Sequence, residues 1–123
     1  MADREYIKLG THEYLGLSKE IEIFNENRIK RVESDGITKC KIYLPNDEFQ
    51  NLVGKLEQLK IQEWKEEYIN IHMLNGKEWD FNYNIGGKKK AIHGQNNYPT
   101  NFEKVEKIIV EIADKYVHNK FVN

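Results

Sequence analysis

Four histidines, His12, His72, His93 and His118, and one cysteine, Cys40, are the side chains best suited to proton transfer, metal ligation or nucleophilic attack. No two histidines stand at i, i+4 or in a short helical motif, so zinc gains no support. A single cysteine forms neither an internal disulfide nor a cysteine cluster. His93 stands apart because Gly94 follows it, and a backbone without Cβ lets a ligand approach closely. The chemistry open to it is general acid-base transfer with a nearby carboxylate, although no nucleophile neighbours it in sequence. Gly86-Gly87-Lys88-Lys89-Lys90 lacks the glycine, lysine and Ser/Thr spacing of a phosphate loop and reads as a hairpin tip with a solvated basic edge. Glu63, Glu66, Glu67 and Asp80 are numerous, yet sequence fixes no pair at the separation glycoside chemistry requires, and they read as a solvated face.

The aromatic residues offer two readings. Trp79, Phe81 and Tyr83 share one parity, so they form either a core row against helices or an exposed face for stacking a planar ligand. In the second case Phe81, Tyr83 or Tyr98 stacks a nucleotide-like anion and Asn96 and Asn97 read its polar edges. Lys88 and Lys90, or Arg28 and Arg31, then meet its phosphate, and His93 lies beside the loop. The chain has only three arginines, Arg4, Arg28 and Arg31, which argues against a bidentate phosphate clamp.

The elements that must position these residues follow from hydrophobic period. Between Glu20 and Leu44 the pattern alternates: Ile21 and Ile23, then Ile29 and Val32 after Asn25-Glu26-Asn27, then Cys40, Ile42 and Leu44 after Ser34-Asp35-Gly36. This predicts a three-stranded meander, with Cys40 on its inward face, where a free thiol behaves as a small hydrophobe. After Pro45, the stripe Phe49, Leu52, Val53, Leu56, Leu59 predicts a helix capped by Asn46 or Asp47. The second half repeats the layout: Ile69 to Met73, an Asn75-Gly76 turn, Trp79 to Ile85, a Gly86-Gly87 turn, and a return from Lys88 to His93. Thr100 and Glu103 have capping-box spacing and open a helix with the stripe Phe102, Val105, Ile108, Ile109, Ile112, Tyr116. The expected fold is α+β: one domain over 1–123, an antiparallel sheet with two helices on one face. The βββα-βββα order is read either as half-repeats over 20–60 and 64–118 or as convergent patterning. Tyr6 to Leu9 reads as a further edge strand, and Tyr14-Leu15-Gly16-Leu17 as an apolar flap or homodimer contact.

With 123 residues, 39% apolar and 32% charged, the chain has material for one modest core. Its net charge of −1 gives no global attraction to nucleic acid or anionic membrane, so nucleic acid is not an expected partner. Neither a signal segment nor a transmembrane run is present, and a cytoplasmic protein without cofactor is expected.

Trp64, Tyr68, Asn75-Gly76-Lys77-Glu78-Trp79-Asp80-Phe81, Gly94-Gln95-Asn96-Asn97-Tyr98-Pro99 and Phe102 follow one another in an order that resembles an uncharacterised family of small Gram-positive bacterial proteins and lipoproteins. That family carries an Asp-Gly-x-x-Trp hairpin and a Gly-x-Asn-x-Tyr-Pro-x-x-Phe start to its last helix. Asn75 replaces the aspartate here, the lipoprotein signal is missing, and the resemblance covers the C-terminal half. It implies no activity and no catalytic residue. The expected function is therefore a small non-enzymatic binding protein that inhibits or sequesters a partner protein or small ligand, as immunity and phage anti-defence factors do. A nucleotide-binding sponge and a small enzyme using His93 are the alternatives.

Overall fold

The computed structural model describes residues 4–13, 18–26, 31–34, 39–70 and 77–122, with side chains described outside 31–34 and 117–122. Seven strands, β1 (Tyr6–Glu13), β2 (Ser18–Asn25), β3 (Arg31–Ser34), β4 (Lys39–Leu44), β5 (Glu67–Ile69), β6 (Lys77–Ile85) and β7 (Lys88–Gln95), join in one sheet of order β3-β4-β2-β1-β6-β7-β5. Two helices, α1 (Asn46–Gln58) and α2 (Phe102–Val122), pack on one face of it, and a single 3-10 turn at Ile61–Glu63 follows α1. The α+β class and the helix-covered face are as expected from the sequence. The sheet, however, is mixed rather than purely antiparallel: β2 runs parallel to β4, and β5 parallel to β7.

These parallel pairs replace the two expected meanders. In the first half, β4 inserts between β2 and β3, so that Ile21 lies beside Cys40 and Ile23 beside Ile42. Apolar matching accounts for the insertion: it buries the β4 row, whereas the four-residue Arg-Val-Glu-Ser strand suits an edge. In the second half, β5 leaves β6 and takes the far edge beside β7. The Tyr6–Leu9 segment is no edge strand either; β1 is the centre of the sheet, paired with β2 and β6, with Ile7 fully buried and Leu9 4% exposed. Ile29, Ile71, Met73, the Asp35-Gly36 and Asn75-Gly76 turns and the Tyr14–Leu17 flap lie outside the described residues.

Both halves follow the same order of three strands and a helix. Seen from the helix side along each unit's first strand, β4 and β7 lie on opposite sides of β2 and β5 respectively. The two units therefore have opposite hands, and no rotation superposes one on the other.

The core lies between sheet and helices. Ile7, Ile23, Ile42, Trp79, Phe81 and Ile92 face Phe49, Leu56, Val105 and Ile109, all at 0 or 1% exposure. Burial of this kind supplies about 25 cal/mol per Å² of apolar surface, the main term holding the layers together. The caps differ from expectation. Helix α1 starts at Pro45, whose fixed φ suits a helix start, without a side-chain cap, and Asn46 instead accepts a hydrogen bond from Asn25 Nδ2 at 2.8 Å. Helix α2 starts at Phe102 rather than on a Thr100 capping box. Asn101, at φ 70, precedes it, accepts the Val105 N–H, and donates its Nδ2 to the Leu59 carbonyl at 3.1 Å, tying the start of α2 to the end of α1. Gly86 and Gly87, at φ 59 and 83, form the expected tight β6–β7 turn.

Candidate binding groove

The aromatic residues of the second half converge around the connection from β7 to α2. Trp79 and Gly94 are cross-strand neighbours, and the missing Cβ of Gly94 makes room for the indole. With its ring so placed, Trp79 Nε1 donates to the Asn97 carbonyl at 2.9 Å, while Trp64 Nε1 donates to the Thr100 carbonyl at 3.2 Å. Two buried indole donors are thus satisfied by the loop they hold down. Asn96, at φ 55, accepts the Lys77 N–H on its Oδ1, and Asn97 Oδ1 accepts the Tyr98 N–H, both at 3.0 Å. The glycine- and asparagine-rich motif is a clamp closing the last strand onto the last helix. At its surface, Tyr98 stacks on Trp79 with ring planes 14° apart, packs against Phe102, and stays 42% exposed.

Tyr98 opens onto a groove along the first turns of α2. Two adjoining cavities, of about 520 and 470 Å³, share Lys77, Glu103 and Glu106 as lining residues. The larger has an apolar floor of Leu9, Ile21 and Val110 with Thr11 and Glu13 beside it; the smaller runs past Pro99 and Phe102 to Tyr98. Between them, Lys77 Nζ pairs with Glu106 Oε2 at 3.3 Å, each side chain about 30% exposed (31% and 27%). A partly exposed pair of this kind is worth at most about 1 kcal/mol, so an incoming polar group can replace either partner. The floor takes an apolar side chain, the rim takes backbone and charge, and Tyr98 supplies a rigid aromatic edge.

The residues singled out from sequence are dispersed. Phe81 is fully buried and Tyr83 is 7% exposed, both beneath the helices, which settles the aromatic row as core and removes its outer face from stacking. Burial raises the Tyr83 hydroxyl pKa above its ordinary value of 10.0, and the nearby Glu57 carboxylate adds to the shift. Lys90 reaches under the 3-10 turn to the carbonyls of Gln62 and Trp64, whereas Lys88 is exposed at the hairpin. Asn96 and Asn97 serve the clamp. Arg28 lies outside the described residues, and Arg31 lies on edge strand β3. Of those whose side chains are described, only Tyr98 lines the groove. Cys40 is buried on the core face.

His93 lies on the other, open face, its Nδ1 at 3.0 Å from Asp80 Oδ1. The carboxylate can orient the ring, as acid-base chemistry requires. Both side chains are 44% exposed. A shallow hollow of about 180 Å³ over Gly10 has Asp80 and His12 at its rim but excludes His93. Among the described residues, no group of three His, Cys, Asp or Glu side chains is arranged to hold a metal ion, and no helix is long and apolar enough to cross a membrane.

No family model, curated protein or solved structure matches the chain. The groove residues Lys77, Glu106 and Val110 were not singled out in the sequence, and Glu103 only as a helix cap, because they meet only through packing of α2 against β6, β1 and β2. The one local signal for Glu103, Glu106 and Val110 is their place beside the α2 stripe; Lys77, on β6, has none.

Proposed function

We propose that the chain is a small non-enzymatic binding protein that holds a segment of a partner protein in the groove along α2, and inhibits or sequesters that partner. The observation that carries this reading is the continuity of the two cavities from the apolar floor at Leu9, Ile21 and Val110 to the exposed ring of Tyr98. An extended peptide matches that form: one apolar side chain on the floor, backbone along the Lys77–Glu106 rim, and a second side chain against Tyr98. The clamp makes the groove rigid, which lowers the ordering cost of binding. The nucleotide reading loses support because Phe81 is in the core and Asn96, Asn97 and Lys90 bond within the fold.

The test is selection of short random peptides on the immobilised protein, followed by affinity measurements on the wild type, Tyr98→Ala and Glu103→Lys/Glu106→Lys. The reading expects enriched peptides whose affinity falls at least about tenfold on both variants, equivalent to about 1.4 kcal/mol. Failure to enrich, or equal binding to all three proteins, contradicts it.

A further inference from the structure

No helix packs on the sheet's second face among the described residues, although Tyr43 and Asn84 on it are only 7% and 1% exposed, and strand register sorts its charges. Successive positions on β5, β7 and β6 bring Glu67 beside His93, His93 beside Asp80, and Glu78 beside Gln95, giving an acidic corner. At the diagonally opposite corner, Tyr6, Phe24 and Tyr43 lie side by side across β1, β2 and β4, with Phe24 and Tyr43 stacked at 5.2 Å. Cations lie over these rings: the Arg4 guanidinium is 5.7 Å from Phe24 and 5.9 Å from Tyr43, and Lys8 Nζ is 4.6 Å from Tyr6. Lys41 points to the same face and is exposed. The in-face pairs Arg4–Glu26 at 3.8 Å and Lys8–Glu22 at 3.5 Å are long, and their cationic side chains are 50% and 36% exposed, so both cations can still take a second partner.

We infer that two copies of the chain associate through these open faces, about a two-fold axis that lays the acidic corner of one copy over the basic, aromatic corner of the other. A two-fold interface joins a patch to itself, so it forms only where the patch is self-complementary. A face of one sign repels its own copy; a face with opposite charges at opposite corners attracts it when the axis crosses the line joining them. The chain's overall charge of −1 adds almost no long-range repulsion. Five central strands spaced about 4.8 Å apart, with about eight residues rising about 3.3 Å each, offer a plan area of roughly 600 Å², near the lower end of what specific interfaces bury per partner. The dimer is therefore weak and salt-sensitive. It leaves both α2 grooves outward, on the opposite side of each sheet, so this inference stands independently of the proposed function.

Sedimentation velocity on the full chain tests it with two charge-reversed variants, Glu67→Lys/Glu78→Lys and Lys8→Glu/Lys41→Glu. The wild type is expected to dimerise at low salt, with dissociation rising at least about tenfold at high salt as the charges are screened. Each variant alone is expected to be monomeric, and their equimolar mixture to form a heterodimer, because reversed corners complement each other. Recovery in the mixture also shows that both variants are folded. A wild type that stays monomeric at low salt, a variant that dimerises as well as wild type, or a mixture that stays monomeric would each overturn the inference.

Discussion

Gly94 on β7 lies directly against the indole of its cross-strand neighbour Trp79: a Cβ added to the glycine would come closer than 3.0 Å to three atoms of that ring. Trp79 is fully buried and held by its bond to the Asn97 carbonyl, so it has nowhere to retreat. A glycine that looks in sequence like an opening for a ligand is occupied by the protein's own tryptophan.

Gly94→Ala is accordingly expected to be the most damaging small substitution in the chain. Overpacking of this kind costs about 3 kcal/mol, read from the denaturation midpoint. Ala91→Gly on the same strand, at an exposed position, is expected to cost only about 1 kcal/mol. Similar losses at both sites would refute the close approach.

Asn101 has two roles that substitutions separate. Glycine keeps the positive φ but loses the bond to the Leu59 carbonyl, whereas alanine loses the bond and strains the backbone. Chemical denaturation is expected to rank wild type above Asn101→Gly by about 1 kcal/mol and Asn101→Gly above Asn101→Ala by about 1 kcal/mol more. An alanine variant as stable as the glycine variant would contradict the left-handed start of α2.

Tyr83 makes stability depend on alkaline pH. Its folded pKa is raised above the ordinary 10.0, chiefly by burial. The stabilising difference is therefore intact below pH 10.0 and is lost as pH rises through the folded value, because the unfolded chain ionises first. Thermal midpoints measured from neutral to strongly alkaline pH are expected to fall less steeply for Tyr83→Phe than for wild type. Parallel curves would remove Tyr83 as the cause.

Tyr98→Ala is expected to preserve the fold, since the ring is 42% exposed, at a cost of about 1 kcal/mol for its contacts with Trp79 and Phe102. Unchanged near-ultraviolet circular dichroism from the buried tryptophans, together with lost peptide binding, is the expected pattern. Collapse of that signal would make Tyr98 part of the core instead.

Period and turn chemistry made much of this fold legible. The stripes Phe49 to Leu59 and Phe102 to Tyr116 and the alternation of Trp79, Phe81 and Tyr83 predict elements and faces that the structure contains. Neighbour order was not legible, because alternation says which face a strand buries but not which strand lies beside it. Hence β4 beside β2, β5 beside β7, and β1 at the centre were missed; in β1 the apolar signal is only Ile7 and Leu9 before Gly10. The loop motif from Gly94 to Pro99 was visible, but its role depended on two distant indoles. Of the candidate site only Tyr98 could be named, since Lys77 and Glu106 are 29 residues apart and become neighbours through packing.

The most direct measurement is an amide chemical-shift map of the isotope-labelled protein titrated with a peptide enriched by selection. The account predicts that the perturbed amides cluster at Thr11, Lys77, Tyr98, Glu103, Glu106 and Val110, along the groove. Perturbations centred on His93, Asp80 and Gly10 instead, or scattered without saturation, would contradict it.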